Sequence, residues 1–290
     1  MTRPAARGIA LSATLGATLG IALGVAPVAG RALGAQSAPA PPPDPVPAHD
    51  TFTVVSRALG EARRVNVHTP AGYAAAAAAR FPVLYMPDGG LDEDFPHVVA
   101  TVDSLVALGR IRPVIVVGVP NTERRRDLTG PTRVARDSTI APHVGGSAAF
   151  RRFLRDELVP AVDARYRTSA ERTIVGESLA GLFVVETFLT DPALFTRYVA
   201  FDPSLWWNGG ALADSAAVRL AAPGARAFAG RTLVLASSRD GIDERTARLA
   251  AALRAAHPAG LSWTYAPRPD LTHATIFRGA GPAALAAALR

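Results

Sequence analysis

Thr173-Ile174-Val175-Gly176-Glu177-Ser178-Leu179-Ala180-Gly181 joins an apolar strand signal, Thr173–Val175, to a nearly all-apolar helix signal, Leu179–Leu189. A serine at such a junction sits in a strained turn that exposes its hydroxyl. Its neighbours two before and two after must be small, so that strand and helix can approach. Gly176 and Ala180 meet that need; the usual pattern has glycine at both places, and here Gly181 follows the alanine. The first amides of the helix, beginning with Leu179, point to where an oxyanion would form. As a bare motif Ser178 is equally a helix cap. The strand-to-helix setting favours a nucleophile.

Outward from this turn, strand and helix signals alternate. Phe52–Leu59 and Arg64–Thr69 read as two strands able to pair, and Pro82–Met86, Val114–Val119, Tyr198–Phe201, Thr232–Ala236 and Leu261–Tyr265 as further strands. Helical spacing marks Phe95–Leu108, a segment opening at Ser147, Asp243–Ala256 and Pro282–Leu289. Such alternation predicts an α/β fold of the α/β-hydrolase type, a mostly parallel central sheet with helices on both faces. No internal repeat is present.

A serine nucleophile needs a base, and in this fold the acid and then the histidine follow the serine in the chain. Only His257 and His273 lie after Ser178. His257 ends a helix before a proline, the place of a solvated helix-end residue. His273 lies in Asp270-Leu271-Thr272-His273-Ala274-Thr275, between the last strand and the last helix, where the base belongs. Asp240, nearest the end of the Thr232–Ala236 strand, is the first choice to orient the imidazole. Asp243, Glu244 and Asp270 remain rivals; Asp243 and Glu244 also suit the start of a helix. Gly90, in Pro87-Asp88-Gly89-Gly90-Leu91 after an early strand, is the expected second oxyanion donor beside Leu179, although Asp-Gly also makes a simple turn.

Composition narrows the chemistry. All 31 basic residues are arginine, with neither lysine nor cysteine in 290 residues. That excludes a phosphate-loop lysine, a lysine Schiff base, a Ser-Lys dyad, a thiolate nucleophile and cysteine-held metals. No cofactor and no metal is expected. The net charge of +7 is dispersed apart from Arg124-Arg125-Arg126, so no concentrated basic face for nucleic acid is predicted.

Arg3 and Arg7 precede an apolar Gly/Ala/Leu/Val stretch from about Gly8 to Ala29, and small residues follow at Leu33-Gly34-Ala35. This is the layout of a signal peptide over residues 1–35 and of an exported protein, periplasmic or secreted. An uncleaved segment would instead tie the chain to a membrane. Residues 36–49 are proline-rich and predict an extended linker, leaving 50–290 as the catalytic domain. The oligomeric state is not legible.

Leu84-Tyr85-Met86-Pro87-Asp88-Gly89-Gly90 resembles the oxyanion-loop segment of the esterase family of α/β hydrolases that holds esterase D, the enterochelin and salmochelin esterases, feruloyl esterases and mycolyl transferases. Gly118-Val119-Pro120-Asn121-Thr122, Arg126-Asp127-Leu128-Thr129, Gly176–Phe183 and Pro203-Ser204-Leu205-Trp206-Trp207 resemble its siderophore-esterase branch, except that Gly130 separates Thr129 from Pro131. The resemblance covers about residues 50–290. It implies a serine esterase acting on a small-molecule ester without a metal, and places Trp206 and Trp207 near the substrate. Arg124–Arg126, with Arg126 as the candidate substrate contact, could meet an anionic acyl or catecholate group, against the plainer role of a solvated arginine run. Acyl transfer by the same triad, and a non-catalytic module that binds carbohydrate or siderophore, are the alternatives.

Overall fold

A computed structural model describes residues 44–221 and 225–290. The expected leader and most of the proline-rich linker lie outside the described residues.

Eight strands form one sheet in the order β1-β2-β4-β3-β5-β6-β7-β8. They are β1 (Asp50–Ser56), β2 (Glu61–His68), β3 (Phe81–Pro87), β4 (Ile115–Val119), β5 (Thr168–Glu177), β6 (Arg197–Phe201), β7 (Thr232–Ser238) and β8 (Ser262–Arg268). β1 pairs antiparallel with β2, and β2 with β4; every other pairing is parallel. The inner strands carry apolar residues on both faces because helices cover both. Val83, Tyr85, Ile174, Tyr198 and Leu233 face one core, and Leu84, Met86, Val175, Val199 and Val234 the other. This is the two-residue alternation of a strand.

The helices are α1 (Phe95–Ala107), α2 (Arg124–Leu128), α3 (Ala135–Ser138), α4 (Ser147–Phe153), α5 (Val159–Arg165), α6 (Leu179–Thr190), α7 (Ala211–Ala221), α8 (Glu244–Ala256) and α9 (Ile276–Leu289). A π turn, Leu154–Leu158, joins α4 to α5. α1 and α9 supply the core on one face, and α4 to α8 the core on the other. α6 is apolar around most of its circumference and is accordingly buried beneath its neighbours. No described helix is long and apolar enough to cross a membrane.

The last helix departs from expectation. Proline favours a helix's first turn, so the sequence places the start at Pro282. α9 instead begins at Ile276 and carries Pro282 within it. Ile276, Phe277 and Ala280, buried against the sheet, outweigh the hydrogen bond that Pro282 cannot make. β5 likewise runs longer than its apolar centre, bringing Glu177 to the strand's end, next to Ser178.

Candidate active site

Between β5 and α6 the chain turns at Ser178 with φ 58° and ψ −119°, a conformation a non-glycine residue avoids unless its surroundings impose it. Those surroundings are visible. Ser178 N–H donates to Phe201 O at 3.0 Å, and its carbonyl accepts from Leu182 N at 2.9 Å and Ser204 N at 3.0 Å. A side chain at Gly176 would come within 2.6 Å of Ala180, so the two tolerate one alanine only because the other is glycine. Leu179 opens α6, and its N–H has no intrahelical acceptor.

Ser178 opens onto a cavity of about 390 Å³ that Leu179, Asp202, Trp206, Asp240 and His273 also line. Ser178 Oγ lies 3.4 Å from Ser204 Oγ. Among the described residues it makes no hydrogen bond to the His273 ring, a contact that often tightens only when substrate binds.

Two carboxylates hold His273, each in a different way. Asp202, just past the end of β6, places Oδ2 3.1 Å from the ring's Nδ1. Asp240, past the end of β7, accepts the backbone N–H of His273 at 2.7 Å. The sequence reading put Asp240 on the imidazole; in the structure that position is Asp202's, and Asp240 grips the loop. Asp202 is buried and fixed by Ser238, whose N–H and Oγ donate to it at 2.6 and 2.5 Å. The other rivals are engaged elsewhere. Asp243 caps α8 through Arg245 N and Thr246 N, Glu244 pairs with Arg248, and Asp270 forms a two-point pair with Arg268.

The electrostatics follow from this packing. Burial alone would raise the Asp202 carboxyl, but hydrogen bonds from His273 and Ser238 hold it below the usual carboxylate range. The hydrogen bond to Asp202 raises His273; burial opposes this, while the charges of Glu177, Asp202 and Asp240 add to it. Burial pushes Glu177 up to about 7, against the pull of His273 and with the help of Asp94, Asp202 and Asp88. Asp94 is raised to about 6 by burial and by Asp88.

The remaining candidates divide. Gly90 N–H is turned to Glu93 Oε2 at 2.7 Å, because Glu93 folds back over the turn and satisfies it. The loop is further pinned where Arg124 grips Asp88 at 2.7 and 2.8 Å. Trp206 is 45% exposed beside the cavity. Trp207 is buried, donates its indole N–H to Gly130 O at 2.8 Å, and faces a separate hollow. Arg126 does not reach the cavity; Glu61 and Asp127, each 2.7 Å away, hold it. The arginines that border the cavity are Arg124 and Arg125. Asp202, the carboxylate at the His273 ring, is not singled out from sequence. Its only signal was an acid directly after a buried strand, in Phe201-Asp202-Pro203.

The strand order, the strained serine turn and the helices on both faces define an α/β hydrolase. The chain belongs to the family described as "Putative esterase", whose model matches residues 56–246. It is 33% identical over 150 residues to the ferri-bacillibactin esterase BesA of Bacillus subtilis, covering 45% of this chain and 50% of that one. It is 30% identical over 182 residues to the siderophore triacetylfusarinine C esterase of Aspergillus fumigatus, covering 58% and 60%. The matches thus span about half the length of these curated relatives. Among solved structures, an IroE-like serine hydrolase from Shewanella oneidensis superposes with a TM-score of 0.72 at 25% identity, over 83% of this chain and 79% of that one. The BES protein of Bacillus cereus has the same fold, with a TM-score of 0.68 at 20% identity over 82% and 94%.

Proposed function

We propose that the protein is a carboxylic ester hydrolase that works through an acyl-enzyme on Ser178 and acts on siderophore-like esters. The observation that carries this reading is the strained Ser178 turn opening into the same cavity as His273, whose other ring nitrogen is held by a buried carboxylate. His273 Nε2 takes the Ser178 proton as Oγ attacks the ester carbonyl. The same nitrogen returns the proton to the leaving alcohol, and water then releases the acid. Leu179 N–H is one donor to the oxyanion. Gly90 N–H becomes the second once the oxyanion replaces Glu93 as its acceptor. Trp206 and Arg125 give the cavity an aromatic and cationic rim, which suits an anionic aromatic acyl group. The names of BesA and of the fungal relative support the substrate class.

Ser178→Ala should lower kcat/KM for a short p-nitrophenyl ester by about a thousandfold or more. A fluorophosphonate probe should label the wild type and leave the variant unlabelled. Retained turnover in the variant would remove the assignment. Hydrolysis of a trilactone ester, compared with simple aryl esters, tests the substrate class.

A further inference from the structure

We propose that Asp202, at the end of β6, supplies the charge that orients and stabilises the His273 ring, and that Asp240, at the end of β7, is a latch on the backbone of the histidine loop. This rests on the reading of Ser178 and His273 as nucleophile and base, and divides between two residues a task usually given to one.

The geometry separates the roles. The hydrogen bond described between a carboxylate and a ring nitrogen of His273 is that of Asp202 Oδ2, 3.1 Å from Nδ1. The Asp202 side chain is 1% exposed, whereas Asp240 is an exposed residue. A buried carboxylate acts on its neighbour through a poorly screened medium, and an exposed one through water. Asp202 is also built into place. Its φ is 39°, unusual for a residue other than glycine, and its N–H is held by Ala236 O at 2.9 Å. A side chain at position 241 would overlap Asp202 Oδ1, so Gly241 lets the β7 turn close over the carboxylate. Ser238 ties the two acids together: its Oγ donates to Asp202 Oδ2 at 2.5 Å and accepts Asp240 N–H at 3.1 Å. β6 and β7 are neighbours in the sheet, with Phe201 opposite Ala236, so both acids emerge beside the same loop. The charged groups that face His273 are Glu177 from β5, Asp202 from β6 and Asp240 from β7, with Arg239 bonded to the carbonyl of Leu271 nearby.

An amide at each position makes the distinction measurable. In Asp202→Asn the single oxygen is claimed by Ser238 N–H, so the NH₂ faces Nδ1. The ring then carries its proton on Nε2 and cannot accept one from Ser178. In Asp240→Asn the amide oxygen still accepts His273 N–H. kcat/KM pH profiles of the two variants, with thermal melts, read the difference. Asp202→Asn should lose about a thousandfold in kcat, and its acid limb should move to lower pH, because the partner that raises His273 is gone. Asp240→Asn should stay within about tenfold of wild type, with its acid limb nearly in place.

The reverse pattern, a large loss and a shifted limb in Asp240→Asn with near-normal Asp202→Asn, would overturn the proposal. If Asp202→Asn does not fold, Asp240→Asn decides alone: activity within about tenfold of wild type with the acid limb nearly in place supports the assignment, and a large loss with a shifted limb refutes it. Fluorophosphonate labelling of the wild type keeps the two readings apart. Without labelling at Ser178 the esterase reading itself fails; with labelling, only the division between the acids is at stake.

Discussion

Around Arg63 each carboxylate meets two arginines, whereas around His273 three carboxylates surround one imidazole and, among the described residues, only Asp202 bonds its ring. In the first cluster Glu61 and Asp127 each contact both Arg63 and Arg126, and Arg63 and Asp127 are almost wholly buried. Arg63 also lies over the rings of Phe150 and Phe153. Hydrogen bonding to Arg126 leads the effects that bring Glu61 down to about 2, despite its partial burial. In the second cluster Glu177, Asp202 and Asp240 come from three adjacent strand ends, and Glu177 is driven up to about 7. Neutralised charge holds elements together, while unbalanced charge beside a cavity tunes proton transfer. The contrast places Arg126, in a conspicuous arginine run, within a balanced ion-pair cluster, and Asp202 against the His273 ring beside the cavity.

The largest effect expected is on the balanced cluster. Asp127→Ala leaves Arg63 buried without its principal partner, and denaturant unfolding should show a loss of about 3–5 kcal/mol. Turnover per folded molecule should be nearly retained. Loss of activity without loss of stability would break the comparison.

Arg126→Ala should be milder, since Arg63 still answers both carboxylates. A loss of about 1–2 kcal/mol is expected, with KM for an anionic ester unchanged. A raised KM would restore Arg126 to the substrate site.

The smallest effect belongs to Glu177→Gln. It removes a negative charge that raises His273, so the acid limb of kcat/KM should move to lower pH by less than about one unit. Stability supplies a second readout. The folded-state pKa of Glu177, about 7, lies above its ordinary 4.5, so its protonated form favours folding at low pH and that contribution is lost as pH rises between the two values. The variant should therefore gain stability relative to wild type from pH 4.5 to 7. An equal offset at every pH would mean that Glu177 does not titrate as its surroundings require.

Much of this architecture was readable from short-range pattern. Alternating apolar segments marked every strand of the sheet, and Gly176 and Ala180 around Ser178 marked the turn, because periodicity and small-residue spacing are local properties. His273 was singled out by its place between the last strand and the last helix, and in the structure it lines the same cavity as Ser178. The contact to the ring was not legible, because a rule of chain order pointed to Asp240 while the hydrogen bond to Nδ1 comes from a residue 71 positions from His273. The division among the arginines was illegible for a similar reason. Arg124, Arg125 and Arg126 are adjacent in sequence, but a short helix sends the first two to the cavity and the third to Glu61.

The class of fold, the serine turn and the histidine loop are each encoded in the residues that form them. Which carboxylate meets the imidazole, which tryptophan borders the cavity and whether Gly90 N–H is free are settled by packing between distant segments. Those depend on which strand ends become neighbours, and on a packing so close that Gly241 must lack a side chain for Asp202 to reach His273.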